Sequence, residues 1–129
     1  MKIYEQKIEK FLKERGWDNL RPGDFSKSIS IEAAELLELF QWDNPALPEV
    51  KKDKGRIKDI QEELADVLIY CLQMGTLLKI DLGRAILTKL EKAKQKYPAR
   101  LVRETHGKDP GRDSAYLQIK RAHRMKTGK

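Results

Sequence analysis

The sequence predicts an all-α fold, with a protomer of the four-helix-bundle type. Apolar residues recur at the three- and four-residue spacing of amphipathic helices, and no stretch shows the strict alternation of a half-buried strand. Residues that form turns collect in the segments between these periodic stretches. With 129 residues, the chain can form one domain with a core of its own but not two independent domains.

A short link separates the first two predicted helices. Residues 2–15 have apolar side chains at near-helical spacing with Lys and Glu between them, which predicts an amphipathic first helix. The segment 17–24, WDNLRPGD, contains the Asn, Pro and Gly that are typical of turns. Asp24 or Ser26 can accept hydrogen bonds from the free backbone N–H groups of the second helix, which we expect over 25–41.

Two further helices follow a loop that contains proline. Residues 43–55 form this loop, with a short helical turn near 49–52, and the third helix runs from 56 to about 79. Asp81 can cap the fourth helix, and Pro98 stops it because proline disfavours helix in the residue before it. The predicted buried face of the fourth helix consists of Leu82, Ile86, Leu90, Ala93 and Tyr97.

Basic residues are concentrated at the C-terminal end. The chain carries a net charge of +7, and residues 101–129 hold eight Lys or Arg against three acids. We therefore expect a helical domain over 1–100 and a basic, partly flexible C-terminal extension over 101–129. The extension is predicted to be loop-like through 106–113, followed by one weakly amphipathic segment over 115–125.

The composition excludes a membrane-spanning protein and a wholly disordered chain. Hydrophobic residues make up 40% of the sequence, yet no apolar run approaches the roughly 18–20 residues that a spanning helix requires. The N-terminus, MKIYEQKIEK, lacks the apolar segment of a signal peptide, so we expect a cytoplasmic location and no membrane partner. The single cysteine, Cys71, lies among apolar residues and is expected to be a small buried side chain.

Two pairs of acids lie within the most apolar helices. Glu32 and Glu35 are three residues apart, as are Glu63 and Asp66, so each pair shares one face of its helix. Apolar residues surround both pairs, although ionised carboxylates are rarely buried without a positive partner. The alternative, that these acids are ordinary surface charges, requires both helices to expose their apolar neighbours as well.

A divalent cation would remove the repulsion among four clustered carboxylates, which otherwise raise one another's pKa. Oxygen ligands select a hard ion, Mg²⁺ first, with Mn²⁺ as a substitute. A di-iron site is disfavoured because such sites add histidine, and the chain has only His106 and His123, both in the extension. Mg²⁺ commonly shares its coordination with phosphates, which suggests a phosphate-bearing substrate.

These residues resemble the pattern of the all-α nucleoside triphosphate pyrophosphohydrolases, the MazG-like and dCTP-pyrophosphatase-like enzymes. That family carries ExxE on one helix and ExxD on the next, matched here by EAAE at 32–35 and ELAD at 63–66. The match extends through FQW at 40–42, VLIY at 67–70 and KYP at 96–98.

The resemblance implies hydrolysis of a nucleoside triphosphate between its α and β phosphates, in a homodimer or homotetramer. It implies that Mg²⁺ binding and catalysis belong to the four acids, one glutamate also orienting or deprotonating the attacking water. These acids are Glu32, Glu35, Glu63 and Asp66. The implied substrate-binding residues are Trp42 at the base, Tyr70 near the sugar, Lys89 and Lys96 at the phosphates, and Tyr97.

The chain departs from the family pattern at two places. Ala93 stands where relatives often carry Asn, and Leu20 and Arg21 stand where many carry a histidine, so the base and sugar preference does not carry over. Trp42 and Tyr70 have the alternative of being core or interface aromatics, and the lysines of being solvated.

Two other classes of function stay open at the level of sequence. One is a non-catalytic relative that binds a nucleotide or a partner enzyme. The other, less favoured, is a nucleic-acid-binding regulator that uses the basic extension. Its candidate residues are Lys120, Arg121, Arg124, Lys126 and Lys129.

Overall fold

The computed structural model describes residues 1–105 and 115–128, and every regular element within them is a helix, which confirms the all-α prediction. None of the described helices is both long and apolar enough to cross a membrane. The helices are α1 (Lys2–Glu14), α2 (Pro22–Glu38), α3 (Leu47–Lys52), α4 (Lys54–Leu77), α5 (Leu82–Lys96), α6 (Ala99–Thr105) and α7 (Ala115–Thr127).

Helix α2 begins three residues earlier than the sequence suggested. Pro22 occupies the first helical turn, where its fixed φ and missing N–H cost nothing, and Arg21 is the N-cap with an extended backbone. The predicted capping by Asp24 or Ser26 is therefore wrong. Asp24 lies within the first turn, and Ser26 instead donates its hydroxyl to the Pro22 carbonyl at 3.2 Å.

Both ends of α4 are closed by local hydrogen bonds. At its start the Asp53 carboxylate accepts from the Arg56 backbone N–H at 3.0 Å, so Asp53 is the cap and the helix begins before Arg56. At its end Lys79 has φ of +55°, and the Ile80 N–H donates to the Gly75 carbonyl at 2.8 Å. This Schellman arrangement turns the chain towards α5.

The C-terminal part of the chain contains more helix than its sequence pattern suggested. Pro98 does end α5, but α6 begins at once, so the expectation of a loop directly beyond residue 100 is wrong. Proline is well tolerated just before or at the start of a helix, which explains the immediate restart. The predicted segment 115–125 is helical as α7, while the predicted loop 106–113 lies outside the described residues.

The chain divides into two compact units, Met1–Leu82 and Gly83–Lys129. In the first unit α1 and α2 pack against α4, around the buried side chains of Ile8, Leu12 and Phe25. In the second unit α6 packs against α7. The predicted buried face of α5 is wrong for the described chain, since no α5 residue is buried and Ile86 and Leu90 are exposed. A unit of three short helices has too little chain to enclose that face.

The apolar neighbours of the acid pairs also lie largely at the surface. Within one protomer they are largely uncovered, because the first unit has only a thin core. Apolar surface of this extent on adjacent helices is typical of an interaction surface. The exposed side chains are Ile31 and Leu37 on α2 and Leu64, Leu68 and Ile69 on α4.

Gly75 lies close to the side chain of Leu82, which follows α4 in the chain. A Cβ at this position would lie 2.8 Å from the Leu82 Cγ, too close for the side chain to be accommodated without a shift. We expect Gly75→Ala to lower the free energy of unfolding by about 1–2 kcal/mol, since overpacking outweighs the gain in helix propensity.

Gly55, in the same helix, is the matched control for this substitution. A Cβ there would contact only the Asp53 carboxylate oxygen at an ordinary 3.5 Å, so Gly55→Ala should be neutral or stabilising. Urea unfolding followed by circular dichroism measures both variants. Equal or greater stability of Gly75→Ala relative to the wild type would show that the approach of Leu82 is unimportant.

Candidate functional site

The seam between α2 and α4 is antiparallel. The Leu39 carbonyl, after the end of α2, accepts a hydrogen bond of 2.6 Å from the Arg56 Nη2 near the start of α4. Glu32 lies seven residues before Leu39, and Glu63 lies seven residues after Arg56. Seven residues are about two helical turns, so Glu32 and Leu39 lie on one side of α2, and Arg56 and Glu63 lie on one side of α4. The contact at one end of the seam therefore sets Glu32 opposite Glu63.

Three of the four predicted acids meet at this seam. Glu32, Glu63 and Asp66 each offer a carboxylate oxygen, and these oxygens lie within 4.8 Å of one another. Glu32 and Glu63 are half-buried, whereas Asp66 is exposed. The fourth acid, Glu35, is exposed and is not among these three, so it is described as lying at the rim of the cluster.

The electrostatics of the site are those of uncompensated negative charge. Burial raises the pKa of Glu63, and the neighbouring Glu35, Asp66 and Glu32 raise it further. Burial likewise raises the pKa of Glu32, with additions from Glu35 and Asp66. Glu35 thus acts on the cluster through its charge although it lies at the rim.

The donor set fits a hard divalent cation. The Glu63 Oε2 is buried and has no hydrogen-bond partner among the described residues, which is costly for a carboxylate oxygen. A divalent ion would supply that partner and offset the repulsion that raises both glutamate pKa values. Among the His, Cys, Asp and Glu side chains of the described residues, those that converge here are all carboxylates, which are the ligands that Mg²⁺ and Mn²⁺ prefer.

Arg56 forms a second feature of the seam, which the sequence interpretation missed. Its Nη1 donates to the Asp43 Oδ2 at 3.0 Å and its Nη2 to the Asp43 Oδ1 at 2.6 Å. The guanidinium also lies 4.9 Å from the centre of the Phe40 ring. This bonding lowers the pKa of Asp43. Arg56 thus holds the chain on both sides of Trp42, whose own side chain is 89% exposed.

A cavity of about 500 Å³ adjoins the acid cluster at Asp66. Tyr70 and Gln73 follow Asp66 at four and seven residues, so one face of α4 supplies all three of these lining residues. Gln73 is only 5% exposed, an unusual burial for a polar side chain. The opposite wall comes from α1, α2 and the link between them, through Phe11, Trp17, Leu20, Asp24, Phe25 and Ser28.

The sequence interpretation assigned Tyr70 to the substrate but missed Trp17 and Gln73. Trp17 was assigned only to a turn, yet its ring packs edge-on against Phe11 at 5.9 Å and borders the cavity. A glutamine within the apolar half of α4, in register with Asp66, was the available signal for Gln73. No comparable local signal existed for the wall that α1 contributes.

The other predicted substrate residues lie in the second unit. Lys89 is exposed on α5, and the Lys96 Nζ lies 5.1 Å from the centre of the Tyr97 ring. Tyr97 in turn stacks on Tyr116 at 5.1 Å. The acid cluster, Trp42 and Tyr70 belong to the first unit. The role of Lys89, Lys96 and Tyr97 at the substrate therefore stays a prediction.

Known proteins resemble this chain in sequence and fold. Residues 27–108 match the sequence model of the MazG-like family. The chain is 38% identical over 96 residues to dCTP pyrophosphatase 1 of Rattus norvegicus, covering 72% of this chain and 56% of that protein. It is 35% identical over 100 residues to dCTP pyrophosphatase 1 of Homo sapiens, covering 76% and 59%.

Among solved structures, a pyrophosphatase from Archaeoglobus fulgidus superposes with a TM-score of 0.64 at 39% identity. The superposition covers 72% of this chain and 87% of the archaeal chain. The chain thus spans most of the archaeal protein but less than two thirds of the length of the curated relatives that it matches.

Proposed function

Because the chain belongs to the MazG-like family, we propose that it is a nucleoside triphosphate pyrophosphohydrolase. It would cleave the bond between the α and β phosphates of an NTP or dNTP, releasing a nucleoside monophosphate and pyrophosphate. The observation that carries the proposal is the convergence of Glu32, Glu63 and Asp66 beside a cavity large enough for a nucleoside. The pyrophosphatase names of the relatives support the same reaction.

In this proposal Glu32, Glu63 and Asp66 hold Mg²⁺, with Mn²⁺ as a substitute, and Glu35 completes the acidic set from the rim. When bound, the ion would supply Lewis-acid chemistry for the phosphate oxygens and for activation of water. Glu35 lies near enough to influence the cluster and is exposed, so it is well placed to orient the attacking water and accept its proton.

The cavity is the proposed nucleoside-binding site. Trp17 and Tyr70 offer aromatic groups for the base and sugar, and the Gln73 amide offers both a donor and an acceptor. Trp42, exposed at the end of the seam, is the proposed second stacking residue for the base. Lys89, Lys96 and Tyr97 remain proposed substrate-binding residues, with the two lysines assigned to the phosphates.

We further propose that the protein functions as a homodimer or homotetramer. The exposed apolar side chains of α2 and α4, Ile31 and Leu64 among them, lie on the two helices that carry the acids. A second copy would cover this surface and exclude water from the neighbourhood of the site. The cytoplasmic location expected from the sequence stays a prediction.

The test is a panel of canonical and modified NTPs and dNTPs, incubated with the full chain and Mg²⁺ in water enriched in ¹⁸O. We expect pyrophosphate as the product, no turnover with excess chelator, and the label in the monophosphate, because water attacks the α phosphorus. Orthophosphate as the main product, or no turnover by folded and oligomeric protein, would refute the proposed reaction.

A further inference from the structure

The two compact units carry charge of opposite sign. Residues 83–129 contain 14 Lys or Arg against four acids, a net charge of +10. Residues 1–82 contain 13 against 16, a net charge of −3. The whole excess of positive charge therefore belongs to the second unit, where a local concentration of this size attracts polyanions.

Helix α7 is the most uniformly basic helix of this unit, since it contains no acid. Its four basic side chains form no ion pair with a described residue. Lys120 and Arg124 are four residues apart, so they are like-charged neighbours that destabilise the helix unless anions approach them. The three basic residues that share one side of the helix, Lys120, Arg121 and Arg124, are named the α7 basic face, and Lys126 lies on another side.

The α7 basic face is presented by an anchored helix. Tyr116, in the first turn of α7, stacks on Tyr97 with 5.1 Å between ring centres and 30° between ring planes. Leu117 and Ile119 are half-buried, and α7 packs along α6. Two apolar side chains of the helix are thus partly covered, whereas Met125 is 86% exposed, and Arg121, Arg124 and Lys126 are exposed as well.

We propose that the α7 basic face binds the phosphate backbone of nucleic acid, without preference for base sequence. Clustered cations on one side of a helix match a line of phosphates, and this mode of binding needs no contact with the bases. A membrane surface is disfavoured, because an interfacial helix needs a broad exposed apolar side, whereas Leu117 and Ile119 are half-buried and leave only Tyr116 and Met125 as large exposed apolar side chains among the described residues of α7. The proposal is independent of the proposed hydrolysis.

The experiment measures fluorescence anisotropy of labelled single- and double-stranded 20-nucleotide probes with the full-length protein, over a series of salt concentrations. We expect binding that weakens steeply with salt for both probes. In the double variant Arg121→Glu/Arg124→Glu, the slope of log Kd against log salt should fall by about two, since each lost phosphate contact lowers it by about one.

The matched control makes the same change of charge in the first unit. Lys51 and Lys52 are exposed on α3, so Lys51→Glu/Lys52→Glu alters the net charge equally and should leave probe binding nearly intact. Arg121→Gln/Arg124→Gln, with glutamine as a good helix former, gives a second test that keeps α7 helical. Pyrophosphate release by all variants should match the wild type, which separates this proposal from the proposed function.

Three outcomes would overturn the proposal. One is absence of probe binding at low salt, and another is an equal loss of binding in the Lys51/Lys52 control. The third is binding to vesicles rich in anionic lipid without binding to either probe, which would assign the surface to membranes.

Discussion

Glu63→Gln and Asp66→Asn are each expected to lower kcat/KM for pyrophosphate release by at least about 100-fold. Both side chains belong to the three carboxylates that meet within 4.8 Å, and each substitution removes one negative charge from the proposed ion site. A Lewis-acid ion contributes several kcal/mol to transition-state stabilisation, and each 1.4 kcal/mol or so is a factor of ten. Steady-state kinetics at saturating Mg²⁺ measure the effect.

A structural explanation of that loss can be excluded by stability measurements. The pKa of Glu63 is raised in the folded protein, so its ionisation above that pKa opposes folding. Glu63→Gln should therefore make the metal-free protein at least as stable as the wild type, while titration calorimetry shows weaker Mn²⁺ binding.

Glu62→Gln is the control for the same helix. Glu62 is exposed and pairs only loosely with Lys58, at 3.8 Å, so its loss should leave kinetics and metal affinity near wild-type values. Full activity in both Glu63→Gln and Asp66→Asn would remove the acid cluster from the mechanism.

Arg56→Lys is expected to raise KM and to lower the free energy of unfolding by about 1–3 kcal/mol, the range for hydrogen bonds to charged groups. Lysine keeps the charge but cannot bond both Asp43 oxygens and the Leu39 carbonyl at once. The chain that carries Trp42 would loosen, and the seam would lose the contact that sets Glu32 opposite Glu63.

Asp43→Asn should have a smaller effect, because the Asp43 side chain is 62% exposed and its interaction with Arg56 is partly screened. The double variant should show coupling of about 1 kcal/mol between the two residues, within the usual range for direct contacts. Lys58 is exposed and lies two residues after Arg56 in α4. Lys58→Gln should leave the free energy of unfolding within about 0.5 kcal/mol of the wild-type value. Wild-type KM and stability in Arg56→Lys would contradict the role of Arg56 in positioning the Trp42 segment and the α2–α4 seam.

The acids could be predicted from sequence because their relation is local. Spacing of three residues places Glu32 beside Glu35 and Glu63 beside Asp66 on any helix, whatever the rest of the fold. The orientation of Glu35 towards the rim is different in kind, since it depends on how α2 rotates against α4. The cavity wall at Trp17 and the bond from Arg56 to Asp43 depend on contacts across chain segments, and helical periodicity carries no information about them.

Periodicity also shows which face of a helix is apolar without showing what covers that face. The sequence predicts a buried apolar face along α5, yet Ile86 and Leu90 are exposed in the described chain, and Ile31 beside the acids is uncovered within one protomer. Pro22 illustrates a similar limit at smaller scale. Its preference for the first helical turn outweighed the capping preference of Asp24, and α2 begins earlier as a result.

The antiparallel seam has a consequence for how this protein can change over evolutionary time. Distances among Glu32, Glu63 and Asp66 are set by the two helices and by the Arg56–Leu39 contact between them, which lie outside the connection over 40–53. Positions of this connection that do not contact Arg56 can therefore gain or lose residues, since doubling the length of a flexible connection costs only about 0.6 kcal/mol in closure entropy. Insertions or deletions near Trp42 would change the proposed base contact without altering the proposed ion site.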